Sequence, residues 1–277
     1  MSCVTRWTWW LGMKFNPDVF RRYLERAPAA LAIERMLECR ILAQQAFARP
    51  ILDLGCGDGF FAATLFAERI ELGIDVDARE IATAKRLNAY DELIVCPANC
   101  VPKPDASFAS IFSNSVLEHI PELDPVVAEV RRLLVPGGCF YVTVPTDRFD
   151  LYSALGRLLS TMGNERTLSF YRAAYNRFWR HYNVHDEGDW RRMFMRAGFE
   201  ISETRSYDSP AVCLINDLLL PAALPAMLNK KLLGRWIALP SLRRWLAPAV
   251  DRLLGRIVER LEKDTEGGLL FLSLRKP

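Results

Sequence analysis

From residue 50 onward, short apolar runs alternate with segments of helical period. ILDL at 51–54 predicts a buried strand, and residues 60–69 predict the helix that follows. ELGIDV at 71–76 predicts a second strand, after which Asp77 caps a helix running to about Asn88. Residues 92–96, 109–116 and 139–144 predict three more strands. Between the last two, Asp124 as cap and Pro125 in the first turn start a helix that ends before Pro136-Gly137-Gly138. Residues 189–197 predict a helix stopped by Gly198, residues 199–207 alternate as a strand, and residues 269–274 supply the last strand.

Strand–helix alternation with apolar strands predicts an α/β fold: a Rossmann-like, seven-stranded, mostly parallel sheet with helices on both faces. The core domain is assigned to 49–208 and 269–277. Three regions fall outside the alternation. Residues 1–48 predict an N-terminal helical lid with one helix over about 20–47, and 147–185 and 209–268 predict helical insertions.

The strongest local feature is the run Asp53-Leu54-Gly55-Cys56-Gly57-Asp58-Gly59, where a strand passes through three glycines into a helix. Glycine lets the backbone turn tightly and approach a ligand closely, and such loops serve nucleotides at the carboxyl ends of parallel strands. Asp75 closes the next strand at a distance suited to ribose hydroxyls. A dinucleotide fingerprint needs a third glycine where Phe60 stands. The acidic Asp53 and Asp58 disfavour a pyrophosphate and favour a ligand with an ammonium group.

Composition narrows the field. Half the residues are apolar (51%) and a quarter charged (25%), which is ordinary for a globular chain, and a net charge of +3 gives no reason to expect nucleic acid. The seven cysteines form no CxxC pair and there are only three histidines, which argues against a disulfide framework and a structural zinc site and fits a reducing cytosol. The N-terminal MSCVTRWTWWLGMKF does not read as a signal peptide. The longest charge-free stretch, 133–146, is too short to span a bilayer as a helix.

The chain resembles the class I S-adenosylmethionine-dependent methyltransferases of the UbiE/UbiG-like type over about 30–146 and 185–207. ILDLGCGDGFF is similar to the first motif of that family and ELGIDVD to the second. FSNSVLEHI resembles the segment after the fourth strand, and HDEGDWRRMFMRAGFE the late helix that leads into strand six. The resemblance implies S-adenosylmethionine as cofactor. It also implies contacts from Asp53, Gly55, Cys56, Gly57 and Gly59, from Asp75 as ribose ligand with Val76, and from Ser113. One departure concerns adenine: the family often carries Gly-Asp-Ala after strand three, where this chain has Cys96-Pro97-Ala98. Adenine recognition is then assigned to Ala98 and Asn99. A second is Ala109 after Phe108, where the family often has Asp.

Methyl transfer needs alignment of donor and acceptor, and a base only where the acceptor must lose a proton. His119 is the expected base, with Glu118 orienting it or binding a metal. Their alternative role is helix capping. Some ubiquinone-pathway relatives carry an acid three positions earlier, where this chain has Ser115, so no metal is expected. His181 and His185 are four apart, as in a helical zinc pair, yet no Cys or third His is near in sequence. His185 is expected to line an acceptor pocket or cap the next helix. Tyr171, Tyr175, Phe178, Trp179 and Tyr182 read as a packed lid helix or as the wall of an apolar acceptor pocket.

Residues 210–228 are nearly all apolar but contain Asp217, Pro221 and Pro225, which argues against spanning. Residues 248–263 predict an amphipathic helix, with Val250, Leu253, Leu254, Ile257, Val258 and Leu261 on one side. Between Asn229 and Lys263 nine basic residues face three acidic ones, with Trp236 and Trp245 among them. That pattern suits a membrane interface, to which Trp7, Trp9 and Trp10 would add a second contact. Equally, it suits a cap on the acceptor pocket or a dimer contact. The expected function is methyl transfer to a small or lipid-like acceptor by a cytoplasmic enzyme, with peripheral membrane contact through 209–268. The alternatives are a nicotinamide-dependent oxidoreductase and a non-catalytic cofactor-binding protein.

Overall fold

The computed structural model describes residues 13–233, 236–237, 240–262 and 266–277. In chain order the elements are α1 (Val19–Arg26), α2 (Ala29–Leu42), β1 (Ile51–Leu54), α3 (Phe60–Leu65), β2 (Ile70–Asp75), α4 (Ala78–Ala84), β3 (Tyr90–Val95), β4 (Phe108–Asn114), α5 (Asp124–Leu133) and β5 (Leu134–Pro145). They continue with α6 (Ala154–Thr161), α7 (Glu165–Trp179), α8 (Glu187–Arg196), β6 (Glu200–Tyr207), α9 (Pro210–Leu233), α10 (Pro240–Leu261) and β7 (Leu269–Arg275).

The strands form one sheet in the order β3-β2-β1-β4-β5-β7-β6, with β7 antiparallel to both of its neighbours and the other pairings parallel. This is the mostly parallel seven-stranded sheet that the alternation predicts. The order reverses between β1 and β4, and ligands of doubly wound sheets bind at the carboxyl ends beside such a reversal. Both faces are covered. Ile51 lies in one hydrophobic cluster with Met36, Phe112 and Phe271; Leu52 and Leu54 lie in another with Val130, Phe140 and Trp190. Burial on both faces is why β1 carries apolar residues on both, Ile51 on one and Leu52 and Leu54 on the other.

The N-terminal region departs from expectation. It forms two helices, not one, because Ala27 is extended (φ −133°, ψ 164°) ahead of Pro28, whose ring disfavours helical geometry at the residue before it. Asp124 is the first helical residue of α5, with Leu123 in the cap position and no capping bond, whereas Asp77 does cap α4, accepting from Arg79 N. Helix α3 stops at Leu65 because Phe66 turns extended and joins an aromatic cluster with Phe15, Phe47 and Phe112. Within the C-terminal insertion, α9 runs through Pro221 and Pro225, both on its solvent side, and α10 starts at Pro240, eight residues before the predicted 248. Val250, Leu254 and Leu261 pack on the core, Val258 is fully buried, and Leu253 is exposed. Trp7, Trp9 and Trp10 lie outside the described residues.

Candidate active site

The glycine loop is tied to β2 along its length. Gly55 N and Cys56 N donate to the Ile74 carbonyl at 3.0 and 2.8 Å, and Gly57 N donates to Asp75 Oδ2 at 2.9 Å. Asp75 Oδ1 also accepts from Asp77 N at 2.8 Å, so one carboxylate fixes the loop and the start of α4 together. A Cβ on Gly59 would meet Ala84 Cβ at 2.8 Å, so this glycine answers to packing. Gly57 differs: at φ +52° its missing side chain faces open space, with nothing within 4 Å. A backbone kept bare toward an empty volume, next to Asp75, is a cradle for a ligand. Val76 lies 71% exposed beside it. The loop after β3 adjoins, since Cys96 N donates to the Asp75 carbonyl at 3.1 Å; Ala98 is half-buried there and Asn99 exposed.

Three residues expected to touch the cofactor are instead set beneath the loop. Asp53 is buried, its Oδ2 accepting from the Tyr90 hydroxyl at 2.7 Å. Burial pushes its pKa up to about 7, against the Tyr90 hydrogen bond, which favours the charged form. Ser113 is also buried and donates to the Leu54 carbonyl at 3.1 Å. The Cys56 thiol points into the core, where burial pushes its pKa far up. These side chains hold β1 and the loop in place; they are not open to a ligand.

Facing the loop across the carboxyl ends is a network that the sequence reading missed. Glu38 of α2 is fully buried. Its Oε1 accepts from Arg35 Nη1 at 2.7 Å and from Ser115 Oγ at 2.8 Å, and its Oε2 accepts from Asn114 Nδ2 at 2.9 Å. Arg35 Nη1 also donates to Ser115 Oγ at 2.8 Å. Burial opposes the charge on Arg35, but Glu38 and Glu34 hold it firmly protonated. Burial raises Glu34 to about 7. The available signal was Glu34-Arg35-Glu38, three charges set among the apolar residues of α2 ahead of Arg40.

Beyond Ser115 opens a cavity of about 280 Å³. Ser115 and Glu118 lie on its sheet side; Leu31 of α2, Tyr175 and Trp179 of α7, and Leu220 and Met227 of α9 form its walls. Helix α2 and both insertions therefore close over one space. Of the aromatic stripe, Tyr175 and Trp179 face the cavity, Phe178 and Tyr182 are exposed, and Tyr171 pairs with Ser153 Oγ at 2.5 Å.

Glu118 and His119 line the cavity, in a short 3-10 turn after β4. Glu118 is buried, and among the described residues its Oε2 has no hydrogen-bond partner. Burial raises it to about 8. The same effect lowers His119, and takes His181 down to about 4. His181 lines the cavity and His185 does not: the His185 ring packs edge-on against Trp190, and Asp186, not His185, caps α8. Helix α7 ends at Trp179, so His181 and His185 share no helix and the zinc pair read from their spacing does not form.

Residues 52–142 match the family model described as a methyltransferase domain. Residues 52–142 are thus a methyltransferase domain, carried on the seven-stranded Rossmann-like sheet. S-adenosylmethionine suits the open side of Gly57 and the acidic Asp75. A trans-aconitate 2-methyltransferase of Methylobacterium nodulans is 34% identical over 113 residues, 38% of this chain and 42% of that protein. A malonyl-[acyl-carrier protein] O-methyltransferase of Enterobacter lignolyticus is 31% identical over 103 residues, 37% of this chain and 41% of that protein. The chain thus spans about two fifths of the length of these relatives. Two solved structures share the fold. An S-adenosylmethionine-dependent methyltransferase from Mesorhizobium loti has a TM-score of 0.52 at 16% identity, covering 87% of this chain and 97% of that one. The [4+2]-cyclase SpnF has 0.54 at 20%, covering 96% and 88%.

Proposed function

We propose that this protein transfers a methyl group to a small, lipid-like acceptor held in the cavity beneath α2, α7 and α9. The observation that carries this reading is the cavity itself, apolar-walled and about 280 Å³ in volume, opening on Ser115 at the carboxyl end of β4. When bound, S-adenosylmethionine supplies an activated methyl on a sulfonium. The chain's own work is to hold and align. Gly57 and Asp75 grip the donor, with Val76 offering it an apolar face. Tyr175, Trp179, Leu220 and Met227 grip the acceptor and exclude water. Positioning of this kind accounts for roughly 7–11 kcal/mol of a barrier.

The two relatives act, by name, on trans-aconitate and on malonyl-[acyl-carrier protein]. Both are acids, which agrees with an acceptor that carries an oxygen head. The outer surface of α9 supports the lipid-like part of the reading. Its segment Pro210–Lys230 has a mean hydropathy of 1.8 and is only 17% buried. The exposed Leu218, Pro221, Pro225, Leu228 and Leu232 follow one helical face, while Leu220, Ala223 and Met227 turn to the cavity. The exposed Trp245 and Leu253 of α10 stand among the exposed Arg244, Arg252 and Arg256. Apolar side chains mixed with arginines suit an anionic bilayer surface, with α9 lying in the interface. The deciding experiment is transfer of labelled methyl from S-adenosylmethionine into fractionated lipid and small-molecule extracts. Label in an apolar product supports the reading. Tight cofactor binding with no labelled product in any fraction overturns it in favour of a non-catalytic role, and binding of NADH in its place favours the oxidoreductase.

A further inference from the structure

Three side chains meet at the mouth of the cavity from two distant stretches of chain. Glu118 and His119 sit in the turn after β4, and His181 just past the end of α7. The stretches are laced together by Tyr182 N and Asn183 N, which donate to the Glu118 carbonyl at 2.7 and 3.2 Å. One donor atom from each of the three side chains lies within 4.8 Å of the other two, and His119 Nε2 stands 3.8 Å from Glu118 Oε1.

Both imidazoles are oriented from behind. His119 Nδ1 lies 3.1 Å from the Arg180 carbonyl oxygen, which can only accept, so Nδ1 carries the proton and Nε2 the lone pair. His181 Nδ1 lies 3.2 Å from Asn176 Oδ1. The Asn176 amide is fixed the right way round, since its Nδ2 donates to Asp150 Oδ2 at 3.1 Å and to the Arg172 carbonyl at 3.0 Å. Histidines that ligate metals are held in this manner, the outer nitrogen donating to a carbonyl or carboxylate. The buried Glu118 carboxylate supplies the independent sign, because its Oε2 has no hydrogen-bond partner among the described residues. A buried carboxyl oxygen without a partner carries a desolvation cost that a bound cation relieves, as does protonation.

We propose that Glu118, His119 and His181 bind one divalent transition-metal ion of the zinc type, with an open coordination position toward the cavity that takes an oxygen of the acceptor. Two imidazoles and a carboxylate favour zinc-like ions over magnesium or calcium. Ligands about 2.1 Å from a tetrahedral zinc stand roughly 3.4 Å apart, so the three side chains draw in by about an ångström on binding. His119 then serves as a ligand, not as a base. The site departs from the expectation of no metal because its third ligand, 62 residues downstream, is brought in by an insertion. The role given to the acceptor oxygen rests on the methyl-transfer reading; the metal site does not.

The test is calorimetric titration of the chelator-treated full-length protein with Zn²⁺, with Co²⁺ absorption spectra as a second readout. The expected result is one saturable ion per chain and visible Co²⁺ bands of tetrahedral intensity. His181→Gln and Glu118→Gln should each lower the affinity at least tenfold, while His185→Gln, outside the cavity, leaves it unchanged. Thermal melting identifies a variant that has unfolded, and His181→Gln, on a partly exposed residue, then decides. Absence of saturable binding, or wild-type affinity in folded His181→Gln, overturns the site. S-adenosylmethionine affinity, measured on the same preparations, reports separately on the methyltransferase reading.

Discussion

Lys230 Nζ of α9 lies 3.5 Å from Asp58 Oδ2 in the glycine loop and 3.7 Å from Glu80 Oε1, with the Trp236 ring centroid 4.9 Å away. The insertion that walls the cavity is thereby fastened to the glycine loop. The pair is about 30% exposed on each side, and exposed pairs contribute roughly 0.2–1 kcal/mol. Lys230→Ala should therefore raise the dissociation constant for S-adenosylmethionine by no more than about fivefold, and Lys230→Glu by more, since it sets like charges together. Calorimetry measures both. Tighter binding in either variant would show that the tether opposes the cofactor.

Gly57 and Gly59 should separate binding from folding. Gly57→Ala places a methyl in open space, and its left-handed backbone costs about 1–2 kcal/mol for a residue with a Cβ. It should lose at least tenfold in cofactor affinity while the melting temperature falls by only a few degrees. Gly59→Ala drives a Cβ to 2.8 Å from Ala84 and should unfold the protein much earlier. Equal loss of stability in both variants contradicts the assignment of the space beside Gly57 to the cofactor.

Asp53 gives a pH dependence of stability whose sign is fixed. Its folded pKa is raised, to about 7, so the unfolded chain gives up the proton first as pH rises. The stability linked to this carboxyl is complete below about pH 3.9 and is lost as pH climbs to about 7. At about 1.36 kcal/mol per pKa unit the loss is on the order of 4 kcal/mol. Urea unfolding from pH 4 to 8 should show this slope in the wild type and a flatter curve in Asp53→Asn. An unchanged slope in the variant would assign the effect to other groups.

Membrane contact through α9 is tested by flotation with vesicles rich in phosphatidylserine. The wild type should float at low salt, and less as salt screens the arginines. Leu218→Glu combined with Leu228→Glu should remain in the pellet, with fold and cofactor affinity intact, as both positions are solvent-exposed. Flotation of the double variant at the wild-type level removes the membrane reading.

The strands and the glycine loop are legible in the sequence because they rest on local signals: apolar runs bounded by turns, and glycines at fixed spacing. The fate of Asp53 and Ser113 is not. A strand covered on both faces has no polar side to mark, so nothing in ILDL tells whether Asp53 faces a ligand or the Tyr90 hydroxyl. The break at Ala27 was visible in Pro28, which a reading by hydrophobic period passed over. Prolines led the other way in α9, where Pro221 and Pro225 face solvent and the helix runs through. His181 gained its partners only through the path of the insertion, and His185 lost its assigned place for the same reason.

Pro145, Leu269 and Tyr207 pair side by side at one edge of the sheet. The insertion between β5 and α8 leaves the sheet after Pro145. The one carrying α9 and α10 leaves after Tyr207 and returns at Leu269. Both caps thus hang from a single sill, away from the β1–β2 corner that carries the donor loop. A graft or deletion made above that sill would recut the acceptor chamber and leave the hydrogen-bond ladder of the sheet unbroken. On the proposed function, such a change would alter the acceptor while the β1–β2 corner stays as it is.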